Sequence, residues 1–444
     1  MSYLVIPNEV FANDALIWVA AINEQFDPNS TVLQHGPNQT VLNTNWSNFR
    51  TADGQFTINY QRVALHGLKK QTDYPLTLRV NNEWKADGSF RTIPWDLPGR
   101  DERPFIVMLG SCFFAREDAN GEVGRTYMGI PTDAKPDVKF LCGDQVYLDN
   151  PPSDFAIPFH SRNWLEHRSF QTYLDAWTQQ TADGGFGQLL KHGANFFSSD
   201  DHEFWNNAPD KGWNVPLYAV KENARKQWWD IAQNLYKIFQ TVPGPPVTFK
   251  VAPLSFCICE TRFSRGPGGA DDSDFMSAEN LRAIGTWTAG LTGPGVLVLG
   301  QPFFAETGSW KDYGLPDFKR QYEELKGYLR QSEHSIVILT GDVHFGRIAL
   351  TPLRRELQTE LYEVISSPMQ LVPHAAGTYK AAPNVFGEVE SKIDFSQGRD
   401  HFLTLEFRAP SPQRVEMFPR FWPIARNGAQ VRSFDILSKA IELF

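Results

Sequence analysis

The chain has 444 residues, of which 51 are acidic and 42 basic, for a formal charge of −9. At roughly 150 residues per domain this length admits two or three domains with a sizeable core, and the acidic balance offers no general attraction for nucleic acid or an anionic membrane. With 41% hydrophobic and 21% charged residues, and no apolar run near the roughly 18 residues of a spanning helix, a soluble globular protein is expected and a membrane-spanning one is not.

The first ten residues, MSYLVIPNEV, hold neither a basic stretch nor a long apolar core, so no secretory signal is expected and the cytoplasm is the default compartment. Up to about residue 95 the chain reads as short strands between Asn, Asp, Gly and Pro clusters: YLVI after Ser2, Leu16 to Ile22, Phe56 to Leu65, Leu76 to Val80 and Ser89 to Ile93. That pattern predicts a β-sandwich over residues 1–98. The stretch around Gly67, Leu68, Thr72 and Tyr74 resembles the corner of a fibronectin type III module, where a tyrosine hydroxyl pins the loop before a late strand. The proline-rich segment PWDLPGRDERP, Pro94 to Pro104, reads as a linker, and a chain beginning near Glu102 is expected to keep its functional site.

From residue 99 to 444 a second domain is expected, of α/β type, because apolar runs of four or five residues alternate with helical periodicity. Phe170, Tyr173, Leu174 and Trp177 share a helix face, as do Trp228, Ile231, Leu235 and Ile238, and Phe318, Tyr322, Leu325 and Leu329; these stripes read as core packing. The cysteines Cys112, Cys142, Cys257 and Cys259 are too few for a disulfide framework. Four apolar runs lead into polar motifs: FIVML into Gly110-Ser111-Cys112, VKFLC into Gly143-Asp144-Gln145-Val146-Tyr147, NFFS into Asp200-Asp201-His202-Glu203, and IVILT into Gly341-Asp342-Val343-His344. Residues at the carboxyl ends of strands gather where ligands bind. Thiol, carboxylate, phenol, imidazole and amide together make a metal-site inventory, whereas neither a G-x-S-x-G elbow nor a phosphate loop is present.

GDQVY, DDHEFWNN and GDVH, with Cys112 after a strand and the later CETRFSRG, resemble the PhoD-type alkaline phosphatases and phosphodiesterases of the metallophosphoesterase superfamily. The resemblance spans about Phe105 to Phe421 and implies a four-layer α/β/β/α fold behind a fibronectin-III-like sandwich. Cys112 stands where the wider superfamily has D-x-H, Asp201 replaces the Asn of G-N-H, and Asp342 replaces the first His of G-H-x-H. These departures favour the PhoD branch over the purple acid phosphatases.

The resemblance implies that Asp144 bridges two cations, and that Cys112, Tyr147 and His344 hold Fe(III), for which thiolate, phenolate and imidazole are suited. It places Asp201, Asp342 and an amide from Asn206 or Asn207 on a harder cation such as Ca²⁺, other divalent metals being alternatives. His202 matches the catalytic histidine, and Arg262 either forks onto substrate phosphate or forms a structural ion pair. His160, His167, His334, His374 and His401 carry no motif and receive no role. The function implied is hydrolysis of phosphomonoesters or phosphodiesters by a metal-bound hydroxide, on a small-molecule or lipid phosphate ester and without specific nucleic-acid binding. The alternatives are a purple-acid-phosphatase-like enzyme and a non-catalytic binding protein with a degenerate hydrolase domain. Natural substrate and oligomeric state are left open at this point.

Overall fold

The computed structural model describes residues 2–24, 26–42, 45–151, 161–181, 184–210, 221–268, 272–308, 313–371, 382–387, 391–411 and 414–444. His160 and His374 therefore lie outside the described residues.

Eight antiparallel strands form the N-terminal sandwich: β1 (Ser2–Val10), β2 (Asp14–Ile22), β3 (Thr31–His35), β4 (Asn38–Val41), β5 (Ser47–Arg50), β6 (Thr57–His66), β7 (Asp73–Val80) and β8 (Glu83–Arg91). They pair as two four-stranded sheets, in the orders β1-β2-β6-β5 and β4-β3-β7-β8. In β7 the two-residue period turns Tyr74, Leu76, Leu78 and Val80 inward. The tyrosine corner expected from the sequence is formed, since the Tyr74 hydroxyl accepts the Lys69 amide at 2.9 Å. The short strands β3, β4 and β5 escape a pattern-based reading because β4 and β5 are largely exposed and carry no apolar alternation.

Strands β1 and β2 do not alternate, and the reason is tertiary. Val5, Ile17 and Val19 point into the sandwich, while Leu4, Ile6, Trp18 and Ala20 join a second core with the helices of the following layer. Both faces are buried, which calls for a continuous apolar run. The segment 94–104 is likewise packed and not a free tether: Leu97 donates to the Ala252 carbonyl and the Ala252 amide donates to Trp95, each at 2.8 Å. The expectation of a detachable sandwich therefore meets a shared core, and truncation near Glu102 would uncover Phe239, whose ring lies 5.9 Å from that of Trp18.

The remaining chain builds two stacked sheets between helical layers. Its elements are β9 (Phe105–Gly110), α1 (Glu122–Met128), β10 (Val138–Cys142), α2 (Arg162–Trp177), α3 (Phe186–Lys191), β11 (Ala194–Ser198), α4 (Glu222–Phe239), β12 (Val247–Val251), β13 (Leu254–Ile258), α5 (Ala278–Ala289), β14 (Gly295–Val298), α6 (Lys319–Gln331) and β15 (Ile336–Thr340). Then come β16 (Gly346–Arg354), β17 (Thr359–Ile365), β18 (Lys392–Gln397), β19 (His401–Ser411), β20 (Arg414–Pro423), β21 (Phe434–Asp435) and β22 (Ile441–Leu443). The first sheet runs β11-β10-β9-β19-β20-β21, with β22 also on β20, and the second runs β12-β13-β14-β15-β17-β16-β18.

Strands β9, β10 and β11 are mutually parallel, as are β13, β14, β15 and β17. Along β9 the side chains of Phe105, Val107 and Leu109 enter the space between the sheets, and Met108 turns outward to α1–α4. In the second sheet Val296, Val298, Val337 and Leu339 face the same inner space, while Leu297, Ile336 and Ile338 meet α5 and α6. Each fully buried side chain of this kind contributes about 1.5–3 kcal/mol. Serines fix the starts of α2 and α5: Ser161 accepts the Trp164 amide and Ser277 accepts the Asn280 amide. All three expected aromatic and aliphatic stripes are core, on α2, α4 and α6. The four cysteines are free and buried. Among the described residues no helix is long and apolar enough to cross a membrane.

Candidate metal centre

Three of the polar motifs follow β9, β10 and β11 of the first sheet, and the fourth follows β15 of the second. Convergence is therefore across two stacked sheets. Glycine permits it: a Cβ on Gly143 would lie 2.4 Å from Asp200 Cβ, and one on Gly341 would lie 2.4 Å from Ser111 Cβ. Immediately beyond these close approaches the backbone turns left-handed at Cys112 (φ 55°), Asp144 (φ 55°), Asp342 (φ 72°) and His344 (φ 54°). Such bends cost on the order of 1–3 kcal/mol each for residues with a Cβ, and they persist only where the surroundings impose them.

One carboxylate joins two groups of donors. Asp144 Oδ2 lies 3.4 Å from Cys112 Sγ, and Asp144 Oδ1 accepts the His202 amide at 3.1 Å. On the sulfur side, Tyr147 Oη is 3.4 Å from His344 Nε2, Ser367 Oγ donates to Cys112 Sγ at 3.1 Å, and the His344 amide donates to Ser367 Oγ at 3.0 Å. On the other side Asp144, Asp200, Asp201 and Asp342 bring carboxylate oxygens within 4.8 Å of one another, and Asp144, Asp201 and His202 do the same.

The electrostatics suit a cation. Burial pushes the Asp144 carboxyl well above its ordinary value, and the neighbouring Asp201, Asp200 and Glu203 add to this against His202. Burial also raises the Cys112 thiol, with Asp144 and Asp342 adding to the effect, and raises Tyr147 beside Cys112 and Asp144. Without positive charge these groups would stay protonated; a bound metal ion inverts that preference. Asp200 Oδ2 and Asp201 Oδ1 are buried and accept no hydrogen bond from the described residues. An unpaired buried carboxylate oxygen is costly, so the donor set fits a metal ion on both chemical and energetic grounds.

Five residues that the motif reading left without a role shape this centre. Asp149 Oδ1 lies 2.7 Å from His202 Nδ1, and Asp149 Oδ2 accepts the Asn206 amide at 2.9 Å. Burial opposes charge on His202, but Asp149, Asp201 and Asp144 outweigh it and raise the imidazole well above its ordinary value. Glu203, fully buried, accepts the amides of Asp144 (2.8 Å), Gln145 (2.7 Å) and Asp200 (2.9 Å). Asp200 belongs to the carboxylate cluster, and Gln301 Nε2 donates to Asp342 Oδ2 at 3.2 Å. Arg265 Nη1 donates to Gln301 Oε1 at 2.8 Å, while its Nε and Nη2 are buried without an acceptor. Adjacency to GDQVY and DDHE was the available signal for Asp149, Asp200 and Glu203, and membership of CETRFSRG was that for Arg265; Gln301 had none.

Arg262 forms an ion pair within the fold. Its guanidinium pairs with Asp200 through Nε and Nη2, and Nη1 donates to the Ala208 carbonyl at 2.6 Å. At 1% exposure it holds a loop and does not present a free fork to a ligand. Of the two candidate amides, the Asn207 backbone N–H reaches Asp201 Oδ2, whereas that of Asn206 reaches Asp149. His401, assigned no role, is buried with Nδ1 2.6 Å from the Arg399 carbonyl.

Over 99% of its length the chain superposes on 91% of a solved structure described as "Structure of PhoD", with a TM-score of 0.60 and 14% sequence identity. The four-layer fold behind a β-sandwich is therefore shared with PhoD. No protein-family model matches the chain, and no curated protein matches it.

Proposed function

We propose that the chain is a metal-dependent hydrolase of phosphate esters, with a sandwich domain at 1–98 and a catalytic domain at 99–444. The observation that carries this reading is the pair of orphaned carboxylate oxygens on Asp200 and Asp201, in a buried acidic cluster that shares Asp144 with Cys112. The likeness in fold to PhoD supports it. Cys112, Tyr147 and His344 form the softer donor group, suited to Fe(III), and Asp201, Asp342 and an asparagine amide form the harder one, suited to Ca²⁺. The asparagine is Asn206 or Asn207. Asp144 serves both groups. When bound, such ions would lower the pKa of an attacking water and neutralise charge on the phosphate oxygens.

The chain's own residues supply the rest. Asp149 fixes His202 through Nδ1, so the opposite ring nitrogen, Nε2, is the atom that can give its proton to the leaving-group oxygen. Arg262, engaged with Asp200, positions the acidic loop. The cation that supplies phosphate oxygens with N–H donors is instead Arg265, whose Nε and Nη2 have no acceptor and whose charge is felt by Asp200, Asp201 and Asp342.

The test is elemental analysis of the purified protein with hydrolysis assays on a series of phosphomonoesters and phosphodiesters. Iron with calcium and turnover of one ester class is the expected result. Zinc alone would overturn the assignment of metals, and absence of turnover by metal-loaded protein would leave a binding protein with a degenerate hydrolase fold.

A further inference from the structure

We propose that the N-terminal sandwich is a positioning part of the metal centre, acting through the C-terminal end of α4. The inference rests on the metal-centre reading above only for its consequence in binding; the mechanical link stands on contacts alone.

The last carbonyls of any helix lack intrahelical donors and carry the negative end of its dipole. At α4 the missing donors come from the sandwich. Arg62 of β6 places Nη2 2.8 Å from the Lys237 carbonyl, 3.4 Å from that of Ile238 and 3.3 Å from that of Gln240, and Asn8 Nδ2 of β1 donates to the Gln240 carbonyl at 3.1 Å. Gln240 is fully buried, and its side chain turns to the metal loops: Nε2 donates to Glu203 Oε1 at 3.2 Å. Glu203 then holds the amides of Asp144, Gln145 and Asp200. A continuous path of hydrogen bonds thus runs from two sandwich strands to the backbone that aims the bridging carboxylate and a member of the acidic cluster.

A parallel contact fixes the neighbouring strand, where Asn195 Nδ2 of β11 donates to the Pro7 carbonyl of β1 at 2.6 Å. The left-handed bend at Asp144 follows another at Gly143 (φ 82°), and the Glu203 carboxylate holds the backbone there through the Asp144 and Gln145 amides. Glu203 gathers all three loop amides and Gln240 Nε2 on one carboxylate, so its position is set by both metal-bearing loops and by the end of α4. Weakening Gln240 therefore loosens both metal-bearing loops together.

The experiment is hydrogen exchange by mass spectrometry on the full chain after metal removal, followed by titration with Ca²⁺. Arg62→Met keeps the side-chain stem and removes the cap. It should speed exchange about 3-fold or more in peptides covering 143–147 and 199–203, leave β2 unchanged, and weaken the Ca²⁺ Kd about 10-fold. Arg62→Lys should restore most of both. Gln240→Met keeps the carbonyl caps, removes the side-chain donor to Glu203 and to the Tyr173 hydroxyl, and should loosen the same two peptides without touching the sandwich. Wild-type protection at 143–147 and 199–203 in both Met variants would overturn the proposal and make the sandwich a passive neighbour. If the wild-type chain bound no Ca²⁺, the exchange results would still decide the link, and only the Ca²⁺ assignment would fall.

Discussion

Left-handed backbone occurs in both the sandwich and the metal centre, for opposite reasons. In the sandwich it falls on Asn23, Asn45, Gln71, Asn81 and Asn82, mostly exposed and at turns, where a short amide tolerates the bend. At the centre it falls on Cys112, Asp144, Asp342 and His344, beside strand ends and largely out of solvent. Buried charge divides the same way. The buried polar residues of the sandwich strands, such as Asn8, Thr31 and His35, carry no obligatory charge, whereas the centre buries Asp144, Asp200, Asp201 and Glu203. One region is balanced by its own packing and turns; the other gathers acidic groups in an arrangement that could hold a metal ion.

The sharpest way to break that contrast is Asp144→Asn. The substitution removes a charge that serves both donor groups, and turnover should fall by about 10³-fold or more, on the order of 4 kcal/mol, with circular dichroism unchanged. Near-normal activity would remove Asp144 from the metal-bridging role.

Metal removal should next make stability depend on pH. In the metal-free protein burial raises the carboxyls of Asp144 and Asp200, and brings Glu203 to about 7. Each binds a proton on folding that the unfolded chain releases near its ordinary value. Their stabilising contribution is present below about pH 4 and is lost as pH rises towards about pH 7; Asp201, held low, runs the other way more weakly. The chelated protein should therefore melt progressively lower between about pH 4.5 and about pH 7. The gap to metal-loaded protein should widen over that range. A gap that narrowed instead would mean the cluster does not require a cation.

Glycine exchanges sharpen the backbone half of the comparison. Asp342→Gly relieves a left-handed bend and removes one half-buried acid, so metal-free protein should gain about 1 kcal/mol while losing metal affinity. Asn82→Gly, at an exposed turn, should change stability by only a few tenths of a kcal/mol, about what a tolerant turn position allows. Equal effects in chemical denaturation would erase the distinction drawn here.

A further expected effect is spectroscopic. Tyr147→Phe removes one oxygen and little volume, so a stability change of about 1 kcal/mol is expected while any phenolate-to-Fe(III) absorption disappears. Cys112→Ser separates a thiolate band from it. An unchanged spectrum in iron-loaded Tyr147→Phe protein would make Tyr147 an ordinary core tyrosine.

Much of the architecture was legible because its signals are local. A fully buried strand needs four or five apolar residues in a row, and a helix face needs the spacing of Phe170, Tyr173, Leu174 and Trp177; both patterns survive in the sequence alone. Donor types at strand ends, from Cys112 to His344, were legible for the same reason. The pairing of those donors was not. Arg262 stood with two possible partners until the fold brought Asp200, 62 positions away, onto its guanidinium. Gln301 and Gln240 carried no motif at all, and Arg265 stood in CETRFSRG without a role, yet each touches a residue of the centre or its support. The sandwich looked detachable because strands β1 and β2 announce only that they are apolar, not which surface covers their second face. A short motif determines how the backbone bends and what atoms it offers. Whether those atoms are free, paired or aimed at a common point depends on groups tens or hundreds of residues distant, and only tertiary packing sets that distance.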